Sequence, residues 1–137
     1  MSSPTAIALT GFIAWALFLL IWMEALRSWM VLRKQVPANG FRPDNGNLSP
    51  FMQRIARAHA NCVEGLPIFG GLMLVALVTG LAHVTDPLAY VLLAARVVQS
   101  SIHLASLSAL AVTLRFSAFA VQMGIAAWWC LQLLATP

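Results

Sequence analysis

The sequence predicts an all-α fold: an integral membrane, antiparallel four-helix bundle forming one domain over residues 1–137. Three observations carry this expectation. Hydrophobic residues fill 61% of the 137 positions and charged residues only 9%, against about 25% charged in a soluble domain. The mean hydropathy is +0.84, and a short chain with so few charges cannot coat a water-facing surface. The apolar residues also fall into four segments, each near or above the ~20 residues that span a hydrocarbon core, with a single sizeable polar connection among them.

The first segment is expected over about 6–32. No Lys or Arg precedes it, so it lacks the charged start of a secretory signal and reads as a retained helix. Trp15, Trp22 and Trp29 recur every seven residues and share one side, either as a packing seam or as a substrate-contacting stripe. Glu24 and Arg27, three apart, are placed to pair within the helix or to line a site. The polar connection comes next, with three prolines, three asparagines and two glycines between Arg33 and Pro50, which prevent regular structure.

The second segment is expected over about 50–81, with Pro50 in its first turn, Pro67 bending it, and Gly70, Gly71 and Gly80 allowing close helix contact. His83 to Pro87 reads as a short turn, the third segment as about 87–109 and the fourth as about 112–134. Short connections make neighbouring helices antiparallel. Arg33, Lys34 and Arg42 lie on the 33–49 loop, with Arg54 and Arg115 flanking the same side, so the positive-inside rule places that loop in the cytoplasm and both termini outside. The net charge of +4 is dispersed rather than run together, which argues against a nucleic-acid partner. Cys62 and Cys130 sit inside apolar segments and read as small buried hydrophobes.

Two stripes break the apolar pattern. At about 100° per residue, Arg54, Arg57, Asn61 and Glu64 fall within roughly 80° of one another on the second helix, while His59 projects from the other side. On the third helix Arg96, Gln99, Ser100 and His103 repeat the arrangement. Glu64 and Arg96 each lie about 13 residues from the cytoplasmic ends, or roughly 20 Å. They are therefore expected to meet, since an unpaired charge at that depth costs at least about 2.5 to 3.5 kcal/mol. Even so, the two helix glutamates, Glu24 and Glu64, face five arginines, Arg27, Arg54, Arg57, Arg96 and Arg115. The surplus suits an anionic ligand held by guanidinium forks; snorkelling of Arg54 and Arg115 to lipid phosphates accounts for part of it. His59, His83 and His103 lie on separate faces or turns, so no metal site is expected, and no Ser-His-Asp set assembles.

The run Arg57-Ala58-His59-Ala60-Asn61-Cys62-Val63-Glu64, with Pro67 after it, resembles the second-helix motif of the membrane-associated proteins in eicosanoid and glutathione metabolism, the MAPEG family, in its microsomal glutathione transferase-like, bacterial type. Arg33-Lys34 to Asn39, Arg96 and Arg115 are similar to other family features. The resemblance implies a homotrimer with glutathione as co-substrate, bound between subunits near the cytoplasmic side, and a lipophilic second substrate arriving from the membrane lipids. It assigns glutathione binding to Arg54, Arg57, Asn61, Glu64, Arg96, Gln99 and His103, and stabilisation of the glutathione thiolate to Arg115.

Several positions depart from the family pattern. His103 and Phe119 stand where active members have tyrosines, Gly65 where some relatives carry an aromatic residue, and the lone tyrosine, Tyr90, is at the wrong end of its helix. His103 either donates to the bound peptide or satisfies a neighbouring helix. The resemblance thus implies a glutathione-dependent transferase or peroxidase, with a non-catalytic lipid-binding or scaffold protein as the other reading; a small transporter finds no inverted repeat to support it. The electrophile stays open, because Trp22, Phe119 and Met123 read equally as substrate wall and bundle core.

Overall fold

Three of the four helix starts are written into the chain as serine and then a helix-compatible residue. The computed structural model describes residues 3–137 and contains four helices: α1 (Pro4–Leu32), α2 (Pro50–Val78), α3 (Ala82–Ala105) and α4 (Ala109–Ala135). Ser3, Ser49 and Ser108 cap α1, α2 and α4, each accepting from backbone N–H groups of the first turn, and proline opens α1 and α2 where no donor is needed. All four helices are long and apolar enough to cross a membrane.

The helix ends differ from expectation around both later connections: α3 ends at Ala105 rather than 109 and α4 begins at Ala109 rather than 112, and the α2–α3 connection moves as well. α2 stops at Val78 because Gly80 adopts φ +74 and closes a Schellman cap, in which Leu81 N donates to Ala76 O (2.7 Å) and Gly80 N to Leu77 O (3.4 Å). Gly80 is thus a cap, not a packing contact; among the described residues nothing lies within 4 Å of a Cβ built there or at Gly71. Gly70 does serve close approach, with Leu9 Cδ1 3.2 Å from its Cβ position. α3 then begins at Ala82, and the stretch 83–87 read as a turn is helical, with Pro87 inside it. This first turn is held to α1: Asp86 Oδ1 accepts from Ser3 Oγ (2.9 Å), Thr5 N (3.0 Å) and Thr5 Oγ1 (2.5 Å).

The 33–49 loop is pinned rather than loose. Arg27 donates to Glu24 Oε1 (2.9 Å), to Asn45 Oδ1 from both Nε and Nη2 (3.0 and 2.6 Å), and to the carbonyls of Arg42 (3.1 Å) and Pro43 (3.4 Å). Asn45 is fully buried at φ 55, a left-handed geometry that asparagine tolerates, and its Nδ2 donates to Met52 O at 2.7 Å. The Trp15–Phe18–Trp22–Phe51 ladder, with ring centroids 5.5–5.7 Å apart, fastens α1 to the start of α2.

The main core runs through α1, α2, α3 and α4 with Phe12, Leu19, Cys62, Met73, Leu92 and Trp129 at its centre. α4 packs chiefly on α3, has a smaller seam with α2, and among the described residues makes no backbone approach to α1. Because the α2–α4 seam is thin, α2 and α4 stand apart along much of their length, and the space between them opens beside α3. Cys62 is buried as expected, whereas Cys130 is exposed and borders a groove between α4 and α2.

Candidate functional site

The helical periodicity that aligned the polar stripes turns them toward one another. Two cavities lie between α2, α3 and α4. The larger, of about 640 Å³, is lined by Asn61, Glu64, Gly65, Arg96, Gln99 and Arg115 at its polar end and by Ile68, Phe69, Val112, Phe116, Phe119, Met123 and Ala126 elsewhere. The smaller, of about 310 Å³, is lined by Pro50, Gln53, Arg54, Arg57, His103, Leu107 and Arg115. All eight candidate residues therefore line one cavity or the other, and Arg115 borders both. His59 points elsewhere, and the charges that bear on it are Glu24 and Arg27 of α1.

Arg96 is the deepest charge. It is 1% exposed, its Nη1 donates to Asn61 O at 3.4 Å, and its Nε and Nη2 are buried with no acceptor among the described residues. Three aromatic rings surround the guanidinium, Phe12 at 5.3 Å, Phe69 at 5.6 Å and Phe119 at 6.0 Å from its Cζ; such faces offset part of a cation's lost hydration. Gly65 completes the niche, since a Cβ there would come within 2.6 Å of Arg96 Nη2. The expected Glu64–Arg96 pair does not form: among the described residues no ion pair joins them. Residues 64 and 65 are about 100° apart around α2, and it is the Gly65 side that Arg96 meets, while Glu64 stays on the exposed side.

Around Arg115 the polar groups are equally under-committed. Arg115 Nη1 is buried with no partner among the described residues. His103, 2% exposed, accepts from Asn61 Nδ2 at 3.4 Å through Nδ1, and its Nε2 is buried and likewise unpaired. The charges acting on its ring come from Arg115, Arg57 and Arg54. Arg54 is partly committed, with Nε donating to Leu104 O at 2.9 Å and its guanidinium over Phe51; Arg57 is exposed. The arrangement is a recess rich in N–H donors, with Glu64 its only carboxylate among the described residues, grading into an apolar wall. It can hold an anion at one end and an apolar group at the other.

Three contributors were not singled out in the sequence. Phe12 and Phe69 close the collar on Arg96. Gln122 on α4, fully buried, donates through Nε2 to Gln99 Oε1 at 2.8 Å and to Ala118 O at 3.1 Å. A signal existed: Arg115, Phe119, Gln122 and Ala126 are spaced four, three and four and so share one face of α4.

An all-helical membrane protein with a cationic recess between three of its helices defines the class, and the family is settled by the whole chain. Residues 5–135 match the model of the MAPEG family, and the protein belongs to that family. MAPEG proteins are associated with glutathione, and their members are typically glutathione transferases or related proteins. No curated protein matches significantly, and no solved structure does.

Proposed function

We propose that the protein is a membrane-bound glutathione-dependent transferase or peroxidase, which conjugates glutathione to lipophilic electrophiles or uses it to reduce them. The observation that carries this is the set of guanidiniums around the two cavities: among the described residues, Arg96 Nε and Nη2 and Arg115 Nη1 are buried without an acceptor. An unpaired buried charge is costly, and a small peptide with two carboxylates supplies the missing acceptors. Arg57, Asn61, Gln99 and His103 lie along the same recess as donors, with Arg54 beside them and Glu64 available for the peptide's ammonium.

Chemistry comes from position. Arg115 borders both cavities, and a guanidinium beside the glutathione sulfur favours the thiolate, the nucleophilic form. The apolar wall of Ile68, Phe116, Phe119 and Met123 then holds the electrophile within reach. In conjugation the sulfur forms a bond to the electrophilic carbon while the leaving group departs with its electron pair, or the adduct is protonated. In peroxide reduction two glutathiones are oxidised to the disulfide as the hydroperoxide becomes alcohol and water.

The assembly we propose is a homotrimer with its 33–49 loop in the cytoplasm and both termini outside. Its support is that the larger cavity lacks a wall: Glu64 is exposed on its rim, and Ile68, Phe116 and Met123 are 59%, 61% and 42% exposed. A neighbouring subunit would close it. One observation favours a non-catalytic lipid-binding protein as the second reading: among the described residues no hydroxyl or thiol lines the larger cavity, so its wall offers no proton donor to an electrophile besides the arginines and amides.

The test is the thiolate absorbance difference spectrum of the purified protein with glutathione, repeated on Arg115→Ala. A thiolate band that vanishes in the variant supports the enzyme. Binding without a band supports the lipid-binding reading, and absence of binding removes the enzyme reading and the assignments of Arg57 and Asn61.

A further inference from the structure

The direction of one carboxamide is set by a backbone carbonyl two contacts away. The nitrogen and oxygen of a glutamine side chain are nearly isosteric, so their assignment comes from the surrounding network. Gln122 places one end 3.1 Å from the carbonyl oxygen of Ala118. A carbonyl only accepts, so that end is the NH2 group. The same nitrogen lies 2.8 Å from Gln99, which must meet it with Oε1. Gln99 is 7% exposed and lines the larger cavity, so its own NH2 is left for that cavity. Arg96, three residues earlier and on the same face of α3, lines the cavity too, with Nε and Nη2 unpartnered among the described residues.

We infer that Gln122 is a positioning residue: it locks the Gln99 carboxamide with nitrogen toward the larger cavity, so that Gln99 Nε2 and the Arg96 guanidinium form a donor-only subsite for a carboxylate. This rests on the proposed function for its ligand, one carboxylate of glutathione, and on hydrogen-bond geometry for its polarity. Without Gln122, Gln99 is free to rotate and present Oε1, which repels the same carboxylate.

Two measurements separate these foundations. In ligand-free protein labelled with 15N at glutamine side chains, Gln122, whose two N–H bonds are both committed, is expected to exchange its amide protons at least about tenfold more slowly than Gln99, with signals assigned from Gln122→Met and Gln99→Met. The reverse order overturns the inference. By calorimetry, Gln122→Met is expected to weaken glutathione binding about 3- to 10-fold, the range of one lost hydrogen bond, and to add nothing in a Gln99→Met background. An equal loss in both backgrounds, or none in either, overturns it. If the unaltered protein binds no glutathione, the proposed function fails, and the exchange order alone then decides whether Gln122 sets the orientation.

Discussion

Arg27 and Arg96 sit in the same bundle and illustrate opposite uses of a guanidinium. Arg27 donates to Glu24, twice to Asn45 and to two loop carbonyls. Arg96 makes one long bond, to Asn61 O, and among the described residues keeps two nitrogens without an acceptor. Aromatic rings flank both, with Phe41 5.5 Å from Arg27 Cζ. Arg96 is the more deeply packed of the two, but the difference that bears on a ligand is in hydrogen bonding. A saturated arginine holds the loop to α1 and has nothing left for a ligand, whereas an unsaturated one beside a cavity stores a demand for an acceptor that a ligand can meet.

That contrast orders the expected effects of substitution. The largest falls on the unsaturated side. Arg115→Ala should remove the glutathione thiolate band and lower kcat by about 100-fold, as loss of one preorganised charge stabiliser does, with little change in melting temperature. A variant that instead fails to melt cooperatively would move Arg115 into the Arg27 class. Next comes the saturated side. Asn45→Ala removes the acceptor for Arg27 and the donor to Met52 O, and places alanine at φ 55. It should cost about 2 kcal/mol of stability, seen in denaturation in detergent micelles, while glutathione affinity stays within about twofold of the unaltered protein. Arg57→Ala ranks third, because the side chain is exposed. It should weaken glutathione binding about tenfold, or about 1.4 kcal/mol, and leave the subunit assembly seen by mass measurement intact.

The two regions were unequally legible from the residues alone. Four spans were readable because an apolar run of some 20 residues has few alternatives, and the stripes were readable because residues three and four apart share a face. Angle around the helix was where legibility ended. Glu64 and Arg96 were matched in depth, yet depth says nothing about whether the facing residue is 64 or 65, and the small side chain won the buried position. Gly80 looked like a packing glycine because only its φ of +74 separates a cap from a contact. Pro87 looked like a helix start, but the Asp86 contacts with Ser3 and Thr5, 83 and 81 residues away along the chain, accompany a helix that begins five residues earlier. The fate of Arg27 depended likewise on Asn45, a loop residue with no periodicity to reveal it.

Glu24 gives the finest division between the two uses. It bonds Arg27 at 2.9 Å, but its side chain is 51% exposed while that of Arg27 is 16% exposed. Water and salt screen such a pair, so Glu24→Gln should cost no more than about 0.5 kcal/mol. Arg27 keeps its bonds to Asn45 and the loop carbonyls, and those bonds are independent of the carboxylate. The variant should therefore melt within a degree or two of the unaltered protein and bind glutathione equally well. A loss as large as that of Asn45→Ala would mean that Arg27 is held by charge and not by its hydrogen-bond count. What separates Arg27 from Arg96 would then be the nearest carboxylate, and unsatisfied donors would no longer mark a ligand site in this bundle.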